Sequence, residues 1–188
     1  LKGRDKTLST AGRGGMGAVY QAQDLRFHVE KIVAVKEMIN QATDPDIRST
    51  IVENFEREAN ILATVSHPSI PTIYDYFTLG SRSYLVMEFI DGDNLEIKLQ
   101  QRRSPFPEDL VISWAIALCD VLDYLHTHDP EPIIFRDVKP ANIMINKRNQ
   151  VRLVDFGIAK TFQAGAKGTM IGTEGYSPPE QYRGEATP

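Results

Sequence analysis

The sequence predicts an α+β protein in which a strand-rich part precedes a helix-rich part. Up to about residue 90 the chain has short runs rich in β-branched residues, separated by turn residues. After Asp91-Gly92 apolar residues recur at helical spacing instead. Strands and helices that occupy separate parts of a chain, rather than alternating along it, are typical of α+β folds.

The strand-rich part is expected to contain strands and one long helix. The strand runs half-alternate or are β-branched, and the last two flank a Gly80-Ser81 turn, which predicts a hairpin. A charged, helix-favouring stretch separates the first two strands from this hairpin. The predicted strands are residues 18–22, 31–36, 72–79 and 83–89, and the predicted helix is residues 47–64.

The helix-rich part is expected to begin with a helix that ends near His126. Pro107, followed by two acidic residues, suits a helix first turn through its fixed φ and the helix dipole. The apolar face of this helix is predicted from Ile112, Ile116, Cys119 and Leu122, which would make Cys119 an inert core residue. Two short apolar runs at 143–145 and 151–154, separated by a polar turn at 146–150, and an exposed loop at 160–173 follow.

Composition and charge limit the function classes. The chain has 188 residues, of which 41% are hydrophobic, which suits one globular domain or a piece of a larger one. A net charge of -4 argues against binding nucleic acid or an anionic membrane by bulk charge. The single cysteine fits a reducing compartment, and the longest nearly apolar run, 111–119, is too short to span a membrane. We therefore expect a cytoplasmic domain with no membrane contact from this segment.

Residues 12–19 contain the pattern G-x-G-x-x-G, formed by Gly12, Gly14 and Gly17, with Gly15 inside it. Glycines at this spacing let backbone N–H groups approach phosphates without obstruction by Cβ, although a flexible turn without a ligand explains the same residues. A dinucleotide-binding fold would need a helix directly after the glycines and an acid about 20 residues on. Glu37 has roughly the right position, but a strand follows the glycines, so that fold is disfavoured.

Lys36 ends a β-branched strand, where a solvated lysine is the common outcome. The helix at 47–64 suggests otherwise. Its residues Ile51, Phe55 and Leu62 share one face, and Glu58 falls in the middle of that apolar stripe. A carboxylate on an apolar face is costly unless a cation pairs with it. We expect Lys36 to be that cation, held extended so that its ammonium group can bind phosphates.

The densest chemical cluster is the segment 135–142, which contains Asp137, Lys139 and Asn142. These residues supply a proton acceptor, a phosphate-binding cation and a carbonyl oxygen that can ligate a metal. Asp155-Phe156-Gly157 follows the apolar run 151–154, and a carboxylate at the end of a buried strand is a good ligand for a hard cation. Each piece alone could be a polar turn, but their order and spacing together argue against that.

In this order the motifs resemble the protein kinase superfamily, and most closely the bacterial Ser/Thr protein kinases of the eukaryotic type. The resemblance runs through essentially the whole chain. It is carried by the glycine-rich loop, Ala34-Val35-Lys36, Glu58, His67-Pro68, the hinge-like 87–90, the Asp137 loop, Asp155-Phe156-Gly157 and Pro178-Pro179-Glu180. It implies a bilobal kinase catalytic domain, with a strand-rich N-lobe (1–90) and a helical C-lobe (91–188) that is truncated after the activation segment.

The resemblance implies ATP and Mg²⁺ as cofactors, with Mn²⁺ as an alternative ion. Asp137 would accept or orient the proton of a substrate hydroxyl, while Asn142 and Asp155 would hold the metal. Lys36, paired with Glu58, would contact the α- and β-phosphates. Lys139 would neutralise the γ-phosphate, and its position is typical of kinases that act on Ser/Thr. The residues implied around the adenine are Val19, Ala34 and Met144 on its faces, Glu88 and Ile90 at its edge, and Met87 as gatekeeper.

Residues 155–180 correspond to the activation segment of the resembled family. Arg136 is similar to the arginine that receives an activation-loop phosphate. Thr169 is the first candidate phosphosite and Thr161 the second, whereas Thr173 is similar to the threonine that contacts the catalytic loop. For each of these threonines a solvated loop residue is the alternative.

Phe135 stands where the family usually has a histidine, and we expect it to stack on Phe156 instead.

The function implied is phosphoryl transfer from ATP to Ser/Thr hydroxyls of proteins, including autophosphorylation, with a homodimer for that step as a further expectation. Two alternatives remain open. One is a nucleotide-binding pseudokinase scaffold, against which the intact Lys36, Asp137 and Asp155 argue. The other is a small-molecule kinase of the same fold.

Overall fold

The computed structural model describes residues 5–14, 17–26, 28–39, 45–80, 82–156, 160–161 and 173–187. The chain forms two compact units. The first, here called the sheet unit, comprises Leu1–Ala63 and Pro71–Ile90. The second, the helical unit, comprises Thr64–Ile70 and Asp91–Pro188. The predicted α+β class, with strands preceding helices, is confirmed.

The sheet unit is built on five strands in the order β1-β2-β3-β5-β4, each antiparallel to its neighbours. Strand β3 is central and β-branched, and its fully buried Val33 and Val35 share a core cluster with Val86 of β5 and Phe77 of β4. The strands are β1 (Asp5–Gly14), β2 (Gly17–Asp24), β3 (Lys31–Ile39), β4 (Ile73–Leu79) and β5 (Arg82–Glu88).

Helix α1 (Pro45–Thr64) matches the helix predicted at 47–64. Phe55 and Leu62 of the predicted stripe are buried, whereas the side chain of Ile51 lies outside the described residues. The Phe55 ring lies 5.9 Å from that of Tyr76 on β4, so the stripe packs against the sheet. Glu58, in the middle of the stripe, is buried as predicted.

In its described residues the helical unit combines three α-helices with two small sheets. A three-stranded sheet has the order β6-β8-β9, and a two-stranded one joins β7 to β10. Its elements are β6 (Gly92–Asn94), α2 (Leu95–Gln101), α3 (Glu108–His126), β7 (Ile133–Ile134), a 3-10 turn (Pro140–Asn142), β8 (Ile143–Asn146), β9 (Val151–Leu153), β10 (Lys160–Thr161) and α4 (Pro179–Tyr182). No helix in the described ranges is long and apolar enough to cross a membrane.

The buried face of α3 differs from the predicted one. Trp114, Val121 and Leu125 are buried, whereas Ile112 and Ile116 are 48% and 65% exposed and Cys119 is exposed as well. The helix carries apolar residues on more than one face, so periodicity alone selects the wrong one. The deciding contact is that of Trp114, whose indole N–H donates to the backbone carbonyl of Asn149 at 3.0 Å. The prediction that Cys119 is a core residue is therefore wrong.

The segment 64–70 attaches to α3. Ser66 N–H donates to the Tyr124 hydroxyl at 2.8 Å, and the Asp120 carboxylate lies 3.0 Å from His67 Nε2. The other ring nitrogen of His67 accepts from Ser69 N–H at 3.1 Å. His67-Pro68 is therefore a structural anchor within the helical unit.

Candidate active site

The predicted Lys36–Glu58 pair is present in the sheet unit. Lys36 Nζ lies 2.8 Å from Glu58 Oε1 and 2.6 Å from Oε2, a bidentate ion pair. The Glu58 side chain is 3% exposed and that of Lys36 is 25% exposed. Because a buried carboxylate is stable only when paired, the ion pair explains how Glu58 sits among apolar residues. It also fixes the lysine ammonium group at the sheet surface.

The register of the sheet places three predicted adenine contacts, Val19, Ala34 and Met87, on the face that carries Lys36. Val19 pairs with Lys36 across β2 and β3, and Ala34 pairs with Met87 across β3 and β5. Directly opposed residues of antiparallel strands point to the same side of a sheet. Ala34 and, beyond β5, Ile90 are each buried. Glu88 N–H donates to Thr72 O at 2.8 Å, which orients the backbone there.

The glycine-rich loop is described only in part, because Gly15 lies outside the described residues. Gly14 and Gly17 pair at the end of the β1–β2 ladder. A Cβ on Gly17 would lie 1.9 Å from the backbone oxygen of Glu37, whereas one on Gly12 would meet nothing within 4 Å. Gly17 is thus required by strand packing, and the backbone at Gly12 is open to approach. A strand follows the glycines, so the rejection of a dinucleotide-binding motif is confirmed.

Glu37, the residue after Lys36, forms a buried network that sequence reasoning missed. Its carboxylate accepts from the hydroxyls of Tyr20 at 2.8 Å and Tyr84 at 2.9 Å, and from Arg82 Nη1 at 2.8 Å. Burial acts to raise the pKa of Glu37, but these three hydrogen bonds outweigh it and the pKa lies below its usual value. Burial, together with the bond to Glu37, raises the pKa of Tyr84.

In the helical unit the catalytic-loop candidates converge on Asp137. Asn142 Nδ2 donates to Asp137 Oδ2 at 2.7 Å and to its backbone oxygen at 3.0 Å. Lys139 Nζ lies 2.8 Å from the same Oδ2. The Thr173 hydroxyl donates to Asp137 Oδ1 at 2.6 Å and accepts from Lys139 at 2.9 Å. The expected contact of Thr173 with the catalytic loop is therefore confirmed.

Asn142 and Asp155 form a donor set that suits a hard divalent cation. Both partners of Asn142 Nδ2 are acceptors, so the amide nitrogen faces Asp137 and the amide oxygen points away from it. Val154 N–H donates to Asn142 O at 2.9 Å, which brings Asp155 next to Asn142. No group of three or more metal-binding side chains occurs in the described ranges. Mg²⁺ needs no such group, since it is commonly bound by one or two carboxylates together with substrate phosphates.

Phe135 contacts Phe156, as expected, but edge-to-face rather than stacked. The ring centroids are 4.9 Å apart with an interplanar angle of 80°. Both side chains are fully buried. Edge-to-face geometry is a favourable arrangement of aromatic rings, so the two side chains stabilise each other at this position.

Several other candidates are placed but not tested by these contacts. Met144 lies on β8 of the helical unit, opposite Arg152. Thr161 lies on β10, with its side chain outside the described residues, and Thr169 lies outside them altogether. Arg136 adopts a left-handed backbone with φ of 65°, and its carbonyl accepts from Gln181 Nε2 at 2.8 Å. Gln181 carries no sequence motif that would have identified it.

A protein-family model described as protein kinase domain matches residues 6–187. The chain belongs to the protein kinase family. It is 34% identical to serine/threonine-protein kinase B of Synechocystis over 96% of this chain, and 36% identical to the probable serine/threonine-protein kinase PknB of Lactococcus lactis, also over 96%. It is 39% identical to the serine/threonine-protein kinase PknB of Mycolicibacterium smegmatis over 93% of this chain. The chain spans 33%, 28% and 28% of these relatives, respectively.

Proposed function

We propose that this chain is the catalytic segment of a bacterial Ser/Thr protein kinase, which transfers the γ-phosphate of ATP to Ser/Thr hydroxyls of proteins. The observation that carries the proposal is the set of three donors that bind the Asp137 carboxylate. Oδ1 accepts from Thr173, and Oδ2 accepts from Asn142 and Lys139. A carboxylate offers about four lone-pair sites, so within the described part of the chain one site on Oδ1 remains for an incoming hydroxyl.

Asp137 would orient that hydroxyl and accept its proton as the phosphoryl group is transferred. The transition state of phosphoryl transfer is loose, so positioning the nucleophile contributes more than strong base chemistry. The three donors hold the carboxylate in one rotamer. Lys139 stands beside the same carboxylate, so its charge would also offset negative charge that develops on the transferred phosphoryl group.

In the sheet unit Lys36 would bind the α- and β-phosphates, with Glu58 holding its ammonium group in place. The adenine would contact Val19, Ala34 and Met87, and Met144 of the helical unit would contribute a further apolar contact. Glu88 and Ile90 would offer backbone hydrogen bonds to the adenine edge. Backbone amides at Gly12, Gly14, Gly15 and Gly17 would cover the phosphates.

Asn142 Oδ1 and the Asp155 carboxylate would hold Mg²⁺, or Mn²⁺ in its place. The ion would supply positive charge that offsets the charge of the phosphates. The hydrogen bond from Asn142 to Asp137 would then link the metal ligand to the residue that orients the hydroxyl. The names of the relatives state Ser/Thr kinase activity, and their 34–39% identity to this chain supports extending that activity to it as part of the proposal.

The test is phosphate transfer by the full-length protein with Mg-ATP and a generic basic protein, followed by analysis of the phosphorylated residue type. Asp137→Asn is the inactivating variant. Asp123→Asn, which makes the same change at an exposed position on α3, is the control. We expect phosphoserine or phosphothreonine with the natural sequence and the control, and a loss of about 10³-fold or more in Asp137→Asn.

Nucleotide binding without transfer would overturn the proposal in favour of the pseudokinase scaffold. Phosphorylation of small molecules but not of proteins would favour the small-molecule kinase.

For autophosphorylation, Thr169 and then Thr161 are the proposed sites, Arg136 the proposed phosphate receptor, and a homodimer the proposed arrangement. Mass spectrometry after incubation with ATP locates the modified residue, and phosphate elsewhere contradicts this assignment.

A further inference from the structure

Gln181 is a buried polar residue without a role in the proposed chemistry. It lies on α4 and is 3% exposed. Its Nε2 donates to the Arg136 backbone carbonyl at 2.8 Å and to Ser177 Oγ at 3.2 Å. A side-chain amide buried in this way is retained at a cost in desolvation, which its hydrogen bonds must offset.

The carbonyl that Gln181 binds belongs to the peptide directly before Asp137. Arg136 has φ of 65°, a left-handed conformation that is unfavourable for a residue with a side chain. Such a conformation persists only when its surroundings hold it. The hydrogen bond from Gln181 holds the oxygen of this peptide, and the plane of the same peptide sets the direction from which the Asp137 side chain departs.

The same contacts close a ring. From Arg136 the chain leads to Asp137, whose Oδ1 accepts from the Thr173 hydroxyl at 2.6 Å. Thr173 N–H donates to Ser177 Oγ at 2.8 Å, and Ser177 Oγ accepts from Gln181 at 3.2 Å. Gln181 returns to the Arg136 carbonyl. The ring therefore holds Asp137 at its backbone and at its carboxylate from one short segment, 173–181.

We propose that Gln181 is a positioning residue for Asp137. It fixes the Arg136–Asp137 peptide, and through Ser177 it fixes the threonine that binds the carboxylate. This inference rests on the proposed kinase function. Loss of the Gln181 amide should lower the rate of phosphoryl transfer and leave nucleotide binding unchanged, because none of the ring residues is among the proposed contacts of the adenine or of the ATP phosphates.

The experiment compares Gln181→Glu and Gln181→Met in the full-length protein. The ionised glutamate has the same shape but cannot donate to the Arg136 carbonyl, and methionine has similar volume without donors. We expect kcat to fall about 10- to 100-fold in both variants while KM for ATP stays within about twofold. Gln100→Glu, the same change at an exposed position on α2, is the control and should leave kcat unchanged. Ser177→Ala, which opens the ring but keeps the Arg136 bond, should give an intermediate kcat.

Amide hydrogen exchange of the segment 135–142 supplies a second readout that does not depend on activity. We expect faster exchange there in Gln181→Met than in the natural sequence. A folded variant with unchanged kcat and unchanged exchange, beside an active natural protein, refutes the positioning role alone. A fall in kcat that is matched by an equal rise in KM for ATP also refutes it, since that pattern indicates general loss of structure. An inactive natural protein refutes the proposed function as well.

Discussion

The Glu37 network gives a prediction about stability that the structure makes quantitative. In Glu37→Gln the side chain keeps its shape but loses its charge and turns one acceptor into a donor. The hydroxyls of Tyr20 and Tyr84 both donate to the Glu37 carboxylate at under 3 Å. In the variant at least one of these hydroxyls faces an N–H group or a weaker, neutral acceptor. Hydrogen bonds to a charged group contribute about 1.5–3 kcal/mol each. The bond from Arg82 counts for little, because that side chain is 50% exposed.

The expected loss in free energy of unfolding for Glu37→Gln is therefore about 2–4 kcal/mol, from the two tyrosine bonds. For a domain of this size, 1 kcal/mol corresponds to about 2–4 °C in Tm, so we expect Tm of the kinase domain to fall by about 4–16 °C. The assay is thermal unfolding of the natural protein and the variant. Glu56→Gln, the same change at an exposed position on α1, should change Tm by no more than about 2 °C.

The pH dependence provides the sharper test. The pKa of folded Glu37 lies below its ordinary value of 4.5, so its stabilisation is fully present above pH 4.5. It is lost as the pH falls through the lower, folded pKa. The difference in Tm between the natural protein and Glu37→Gln should therefore be constant near neutral pH and shrink below pH 4.5. A difference that stays the same down to the acid transition, or an equal loss in Glu56→Gln, refutes the reasoning.

Three further changes test other parts of the structure. Thr173→Ala removes the hydroxyl bound to Asp137, and steady-state kinetics should show kcat lower by about 10- to 100-fold, with activity largely retained in the serine variant. Phe135→His inserts a polar ring at a fully buried position and should destabilise the domain by about 1–3 kcal/mol. Denaturant unfolding should then show a lower midpoint. An unchanged midpoint would mean that the imidazole finds a hydrogen-bond partner there. Gly92→Ala places a Cβ 2.1 Å from a backbone oxygen of the neighbouring strand and should lower Tm, whereas Gly12→Ala, with nothing within 4 Å, should not.

Much of the fold follows from local pattern. The β-branched β3 strand, the β4–β5 hairpin and helix α1 lie where the sequence predicts them, because burial imposes a period that the residues reveal. The Lys36–Glu58 pair was predictable for the same reason, since a charge on an apolar stripe requires a partner. The contact of Phe135 with Phe156 was expected from the family resemblance rather than from spacing.

The features that the sequence does not predict depend on contacts that only the register of strands and loops determines. Strand β1 was not predicted, because it is a mostly exposed edge strand with polar residues and two register shifts, so it lacks alternation. The buried face of α3 depends on which side Trp114 packs. The Glu37 and Gln181 networks join residues that are far apart in the sequence. Neither residue belongs to a sequence motif that would identify its partners.

The aromatic contact between Phe135 and Phe156 has a thermal consequence. A histidine at position 135 would make this junction respond to acidity, since imidazole changes charge between pH 5 and 8. Phenylalanine side chains have no ionisable group, so the contact between Phe135 and Phe156 is insensitive to acid. Its strength follows the hydrophobic effect instead, which weakens on cooling. Between neutral and mildly acidic pH the strength of this aromatic contact does not change, whereas cooling weakens it.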